Sequence, residues 1–580
     1  MVRAVLVVSR HPGQPLRLDA YRDALNRKLA GDNITPHAPV VVHESGLSAA
    51  LLNPSGAARM HGASIAIGTL LEPRDDWHIP GAELPDGSFA LLRANDTHVE
   101  LAADGVASRT LWYAHTDHEL IASTSQRAIV TLLGSFEPNR DVLPWMLSSG
   151  TLGPGESWDS RLHRVQPGER LLLDRASWRL TSTTEPPEFV PDEAASRATQ
   201  LERLREAVDD ACRRWSFDAR KWVLTLSGGT DSRSLLCMLR HRGIETVTWG
   251  VPDSAYQDGN DAHIARLLAS AFAVPHRFFA IDSHADTAEV VLERFLAAGE
   301  GRVARISGYV DGFRIWKTLF DEGYDGIIRG DEAFGSVPVS TPYAVRFTAG
   351  LTMLSDYFSR DERETFELPE QRLPKRLARG RGETLSTWRD RLYQQFRVPT
   401  LLAGLTDVKT AYVEVGNPLL ARSVLECVRA LPDALRTEKC LWREIVGAQL
   451  PDVALATRVA IPSLAEVLGD RHVREILLAE LTSARSAAVL SPLLRARCCA
   501  ALRAAGRESG SARRQSRSSP VLLRAVPARL RAVVRAWRLG HAGLDPLVLA
   551  FRAFVAVRMH AQLGADAATP PARLEPAVNA

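Results

Sequence analysis

The residues best suited to chemistry in this chain form one short run, Ser227-Gly228-Gly229-Thr230-Asp231-Ser232. A phosphate group needs several N–H donors aimed at one spot. Gly228 and Gly229 let the backbone turn sharply and approach closely. A helix opening directly after them offers unpaired N-terminal amides and the positive end of its dipole. Ser227 and Ser232 add hydroxyl donors. Asp231 would repel phosphate unless a cation lay between them, so its expected role is a Mg²⁺ ligand. No Gly-Lys-Ser/Thr follows, which separates the loop from the Walker type. The plain structural alternative is a Gly-Gly turn entering an N-capped helix.

A second acidic run, Arg329-Gly330-Asp331-Glu332-Ala333-Phe334-Gly335, follows a short apolar stretch that reads as a strand. Open α/β sheets place ligands at the carboxyl ends of their strands. Asp231 and Asp331 are therefore expected to share Mg²⁺, with Glu332 as a further ligand or positioning group. Taken alone, an Asp-Glu pair in a loop is ordinary solvated surface.

The elements that must position these loops follow from periodicity. Residues 222–226 read as a buried strand before the glycine loop, and a helix follows from 234 to 239. Residues 246–251 are a second strand, 262–272 a helix, and 326–329 a later strand. Alternation of this kind predicts a parallel sheet with crossover helices. Upstream, residues 1–180 alternate in short runs broken by Asp86-Gly87 and Asp104-Gly105, which predicts a mostly β domain. The polar stretch 181–188 reads as a linker. The expected units are 1–180, 190–465 and an arginine-rich helical extension at 466–580. Within that extension, 510–519 reads as a mobile loop, 543–563 as an apolar helix, and the tail from Gly564 as disordered.

Bulk properties exclude rather than identify. Of 580 residues 45% are hydrophobic and the formal net charge is +3, too small to argue by itself for nucleic-acid or membrane binding. No uninterrupted apolar run of about 18 residues is present, so no transmembrane helix is expected. The N-terminal apolar run is too short for a signal peptide. Six cysteines without metal-type spacing suggest a reducing compartment, and cytoplasmic localisation is expected.

The glycine loop resembles that of ATP pyrophosphatases, which cleave ATP between the α and β phosphates. Over residues 60–465 the chain resembles the asparagine synthetase superfamily. Asp86-Gly87-Ser88-Phe89-Ala90 is similar to that family's Asp-Gly-x-Phe-Ala strand. The segment Asp104 to Tyr113 is similar to its Asp-x-x-Gly-x-x-Pro-Leu-Tyr-Tyr segment, and Arg164-Val165-Gln166-Pro167-Gly168-Glu169 to its Leu-Pro-Pro-Gly-His turn. Gly330-Asp331-Glu332-Ala333-Phe334-Gly335 is similar to Ala-Asp-Glu-Leu-Phe-Gly. Val413-Glu414-Val415-Gly416-Asn417-Pro418-Leu419-Leu420 is similar to Glu-x-Arg-x-Pro-Phe-Leu-Asp.

This resemblance implies an α/β protein with a class II amidotransferase-like (Ntn-type) β sandwich and a doubly wound ATP-pyrophosphatase domain. Its cofactors would be ATP and Mg²⁺. The family's glutaminase uses a cysteine at position 2; here Val2 stands there, and no cysteine precedes Cys212. The resemblance then implies an amine supplied by the substrate, as in β-lactam synthetases and lasso-peptide macrolactam cyclases. The length and the arginine-rich extension favour the cyclase. Its partners would be a precursor peptide, a leader-peptide-binding protein and a leader peptidase, with neither nucleic acid nor membrane. ATP would bind with adenine near Leu226 and Trp249 and its phosphates over Ser227, Gly228, Gly229, Asp231 and Ser232, beside Gly330. Tyr412 or Glu414 would accept the amine proton. The family's late Arg-x-Lys lysine has no obvious counterpart, and Arg458 or Lys439 would replace it. The alternatives are a small-molecule ligase, forming a β-lactam or ammonia-dependent asparagine, and an inactive nucleotide-binding scaffold.

Overall fold

Strand β1 (Arg3–Ser9) shows how the N-terminal part is layered. Side chains along a strand alternate between its faces. Here both faces are apolar: Ala4, Leu6 and Val8 enter one buried cluster, Val5 and Val7 another. Such a strand must be covered on both sides. The computed structural model, which describes residues 2–11, 17–71, 74–283, 285–331, 337–449, 453–508 and 543–572, shows how.

The strands after β1 are Val40–Glu44 (β2), Leu47–Leu52 (β3), Arg59–His61 (β4), Ser64–Leu71 (β5), Asp86–Ala94 (β6) and His98–Ala103 (β7). Trp112–His115 (β8), Glu119–Ser123 (β9), His163–Arg164 (β10), Glu169–Asp174 (β11) and Arg179–Thr184 (β12) follow. They form two six-stranded antiparallel sheets, ordered β10-β8-β9-β1-β3-β2 and β12-β11-β7-β6-β5-β4. Ala4, Leu6 and Val8 of the first meet Ile65, Ala90 and Leu101 of the second. Helices Leu18–Leu29, Gln126–Leu133 and Val142–Ser149 share a cluster with Val5 and Val7 on the opposite face. The β-rich sandwich expected from the sequence is present.

Beyond helix Arg197–Arg214 the chain changes to parallel pairing. Trp222–Thr225 (β13), Glu245–Gly250 (β14), His276–Ala280 (β15), Gly326–Ile328 (β16) and Glu414–Gly416 (β17) form a five-stranded sheet ordered β15-β14-β13-β16-β17. The chain passes from β13 to β14 on one side and later enters β16 on the other. The strand order therefore reverses at β13, where a crevice opens at the carboxyl ends of the strands. The doubly wound arrangement was expected. Strands β15 and β17 were not, because a half-buried strand and a three-residue strand carry too little period to be read.

The C-terminal stretch is helical: Leu464–Gly469, Arg471–Thr482, Ala484–Val489, Pro492–Glu508 and Pro546–Ala567. It is not an appendage. Phe551, Phe554 and Met559 belong to the same core cluster as Trp158 and Leu132, and Arg127 grips Asp566 through two hydrogen bonds of 2.7 and 3.2 Å. Helix Pro546–Ala567 is long and apolar enough by composition to cross a membrane, but it is interrupted by Arg552, Arg558 and His560 and more than half buried inside the protein, as a core helix is. The helix also runs through Gly564, where a disordered tail was expected to begin. The expected mobile loop at 510–519, and residues 573–580, lie outside the described residues.

Candidate active site

The glycine loop leaves β13 and enters helix Thr230–Leu239, whose N-cap is Gly229 and whose first turn no side chain caps. Its N-terminal amides are therefore left for an anion. The loop is braced from within. Ser232 Oγ accepts from Ser227 N at 2.9 Å and lies 2.9 Å from Ser227 Oγ. Gly228 N donates to Asp261 Oδ1 at 2.6 Å. Burial pushes the Asp261 carboxyl up, opposed by that N–H and by Arg233. A Cβ on Gly228 would lie 2.4 Å from Ala456 Cβ, so only glycine fits beneath this strap.

The strap is residues 453–461, which cross the loop. Ala456 N donates to Gly228 O, and Val251 N to Ala460 O. Arg233, fully buried, donates to the carbonyls of Val453, Ala454 and Gly228.

The second acidic loop comes to the same place. A Cβ on Gly330 would lie 2.8 Å from the carbonyl carbon of Asp231 and 3.0 Å from Ser232 N. The end of β16 thus packs directly on the start of the helix. A cavity of about 270 Å³ lies between them. Leu226, Trp249, Ala460 and Ile461 form its apolar side, and Ser227, Asp231, Ser232 and Asp331 contribute to its polar side.

Both expected metal ligands face this cavity, and each already meets a cation. Lys439 Nζ is 2.5 Å from Asp231 Oδ2, and Trp442 Nε1 donates to Asp231 Oδ1 at 3.2 Å. Arg329 Nε lies 3.1 and 3.3 Å from the two oxygens of Asp331, and Asn417 Nδ2 donates to Oδ2 at 3.3 Å. Burial alone would raise the Asp331 carboxyl; Arg329, Lys409 and Asn417 outweigh it and hold it below the usual range. Buried Lys409 donates to Leu405 O at 2.7 Å; burial, and then Arg329, push it well below the ordinary lysine value.

The donor set fits a nucleotide, with apolar walls on one side and uncapped amides and hydroxyls on the other. It also fits a divalent ion at Asp231 and Asp331, provided the ion takes over the charge that Lys439 and Arg329 now balance. Among the described residues no three His, Cys, Asp or Glu side chains form a metal cluster, and Glu332 lies outside them.

Other expected residues are placed differently. Tyr412 is buried and donates to Asn33 Oδ1 at 2.8 Å. Glu414 is buried, with Arg109 Nη2 2.7 and 2.9 Å from its two oxygens. Neither lines the cavity; both tie the parallel-sheet part to the N-terminal part. Arg458 is exposed and contributes through its backbone, its carbonyl accepting from Asp261 N at 2.9 Å. Of the two candidate cations, Lys439 is the one at the site. Asp261 and Asn417 were not foreseen, since nothing local in sequence marks them; Arg329 stood in the acidic run but was given no role.

Fold and site together define a class: an α/β chain with a glycine loop at the switch point of a parallel sheet, beneath a strap. The asparagine synthase family profile matches residues 203–527, more than half of the chain, and the chain belongs to that family. No curated protein matches it in sequence. Among solved structures it is similar to glutamine phosphoribosylpyrophosphate amidotransferase from B. subtilis complexed with ADP and GMP. That match has 11% identity and a TM-score of 0.21, and covers 48% of this chain and 65% of that one. A second, described as the allosteric regulatory enzyme of purine biosynthesis, has the same identity and TM-score, with 48% and 64% covered. The chain thus spans slightly under two thirds of either relative.

Proposed function

We propose that this chain is an ATP-dependent ligase that activates a carboxylate as its acyl-adenylate and passes the acyl group to an amine. Membership of the asparagine synthase family supports the ATP-dependent amide-forming chemistry. The observation that carries the assignment to this cavity is the contact of Gly330 with Asp231, which brings two strand-end carboxylates and an uncapped helix start to one place.

ATP lies with its base against Leu226 and Trp249 and its phosphates toward Ser227, Ser232 and the helix start. Mg²⁺ held by Asp231 and Asp331 would neutralise pyrophosphate as it leaves. A carboxylate oxygen of the substrate attacks the α-phosphorus, and the bond to the bridging oxygen breaks, releasing pyrophosphate. An amine nitrogen then attacks the acyl carbon, loses a proton and expels AMP. The protein's contribution is charge balance and positioning. Lys439 and Arg329, freed from their carboxylates, meet phosphate oxygens.

The substrate we favour is a precursor peptide whose Asp or Glu side chain is joined to its own N-terminal amine, as in lasso-peptide cyclases; leader-binding and leader-cleaving proteins would then be partners. The test is pyrophosphate exchange into ATP with short synthetic peptides that carry a free N-terminal amine and one Asp or Glu side chain, followed by mass spectrometry. Exchange and loss of one water are expected. Exchange with free amino acids but not with the peptides would replace the peptide reading, and absence of exchange with any carboxylate would overturn the ligase.

A further inference from the structure

Three arginines from three separate elements are anchored near the end of helix Val142–Ser149. Arg552, on helix Pro546–Ala567, donates to the carbonyls of Leu147 and Ser148 at 3.0 and 2.6 Å. It packs so closely on Gly150 that a Cβ there would lie 2.8 Å from its Nε. The Gly150 carbonyl accepts from Ala304 N at 2.9 Å, which sets Arg305 beside Arg552. Arg397, in the π-helical segment Tyr393–Leu402, donates to Thr348 O at 3.2 Å. Ser148 and Thr352 exchange hydrogen bonds of 2.7 and 2.8 Å, joining the supports of Arg552 and Arg397.

Charge makes this cluster unusual. Arg127, Arg294 and Arg436 each meet a carboxylate within hydrogen-bond distance. Among the described residues no carboxylate lies within ion-pair distance of Arg305, Arg397 or Arg552, and Arg305 makes no hydrogen bond. The Nε atoms of Arg397 and Arg552 are buried without a partner. Burial pushes Arg552 down to about 10, opposed by Tyr357 and reinforced by Arg305. Yet Arg305 is exposed and the other two half-buried, so the cluster opens to solvent. Like charges drawn partly out of water without a counter-ion are costly. A planar guanidinium fork matches a carboxylate. Three arginines on linked supports, rather than a long basic track, fit one anionic group better than the successive phosphates of a nucleic acid.

We propose that Arg305, Arg397 and Arg552 receive a carboxylate of the peptide substrate other than the one being activated. The word peptide rests on the reading given above; the anion receptor does not.

The probe is a fluorescein-labelled decapeptide carrying three glutamates, with a matched three-glutamine peptide, inorganic phosphate and a single-stranded oligonucleotide as further arms. Binding is followed by anisotropy on the full-length protein. The glutamate peptide should bind about tenfold more tightly than the glutamine one. Arg305→Glu should remove that difference and Arg305→Lys keep most of it. Arg305 is exposed and, among the described residues, makes no hydrogen bond or ion pair that its loss would break, so the variant should fold, which circular dichroism checks. Equal binding of both peptides, no binding of either, or an unchanged Arg305→Glu would overturn the proposal. So would tighter binding of the oligonucleotide, or displacement by phosphate at lower concentration than by acetate. Titration with Mg-ATP in parallel separates the claims: failure there removes the ligase and leaves the receptor, whereas Mg-ATP binding without glutamate preference removes only the receptor.

Discussion

Lys439 Nζ lies 2.5 Å from Oδ2 of Asp231, and the backbone at both Glu438 and Lys439 is left-handed, with φ of 57° and 55°. Two consecutive non-glycine residues in that region are strained, and strain of this sort persists where surrounding structure over-determines it. The turn they form presents the Lys439 ammonium to Asp231 at the helix start. Lys439→Met should reduce pyrophosphate exchange by about 10² to 10³, the loss seen when one charge-stabilising donor is removed. Lys439→Arg should retain part of the rate. Asp231→Asn should also abolish exchange while the thermal unfolding profile stays cooperative. Exchange kinetics near wild type in Lys439→Met would remove that residue from the site.

Gly330 offers a geometric test. Its missing side chain is what lets β16 touch the helix start, since a Cβ would sit 2.8 Å from Asp231 carbon and 3.0 Å from Ser232 N. Gly330→Ala should cost about 1–3 kcal/mol of stability through overpacking and weaken Mg-ATP binding. Gly228→Ala, blocked by Ala456 at 2.4 Å, should behave alike. Gly243 has nothing within 4 Å and φ of 75°; Gly243→Ala is the control that strains backbone away from the cavity, and it should leave Mg-ATP affinity unchanged.

The Arg109–Glu414 ion pair allows the bracing and proton-accepting roles of Glu414 to be told apart. Breaking a buried ion pair by removing one partner costs about 3–5 kcal/mol. Arg109→Met and Glu414→Gln should each lower the unfolding midpoint strongly, and the double variant should recover part of the loss. Tyr412→Phe, losing one hydrogen bond to Asn33, should cost about 1 kcal/mol. A Glu414→Gln protein of unchanged stability but lost turnover would favour the proton-accepting role.

His560 predicts a pH dependence. It sits on the C-terminal core helix edge-on to Phe136 and Trp158, and burial lowers it from 6.5 to about 4. The folded protein therefore refuses a proton that the unfolded chain accepts. The contribution to stability is complete above about pH 6.5 and is lost as pH falls through about 4. His276, lowered to about 4 by burial and then Arg266, acts in the same direction. Urea titrations between pH 7 and 4 should show falling stability. His560→Phe, which keeps an aromatic ring and removes the proton, should flatten part of that slope; an unaltered slope would show that the residue does not contribute.

What the sequence determined by itself was local. The glycine pair, the helix after it, the Asp following 326–329, and the alternation that predicts a β sandwich followed by a parallel sheet all depend on residues a few positions apart. Backbone geometry and side-chain period act at that range. Tertiary structure alone decided which distant charges meet. Lys439 reaches Asp231 from 208 residues away, and Glu414 turns from the cavity toward Arg109, 305 residues away. The strap at 453–461 closes over a loop whose sequence holds no sign of it, and the C-terminal helix enters the core instead of trailing from it. Such pairings carry no period in the chain. They arise where elements pack, because a buried charge must find its partner wherever the fold brings one.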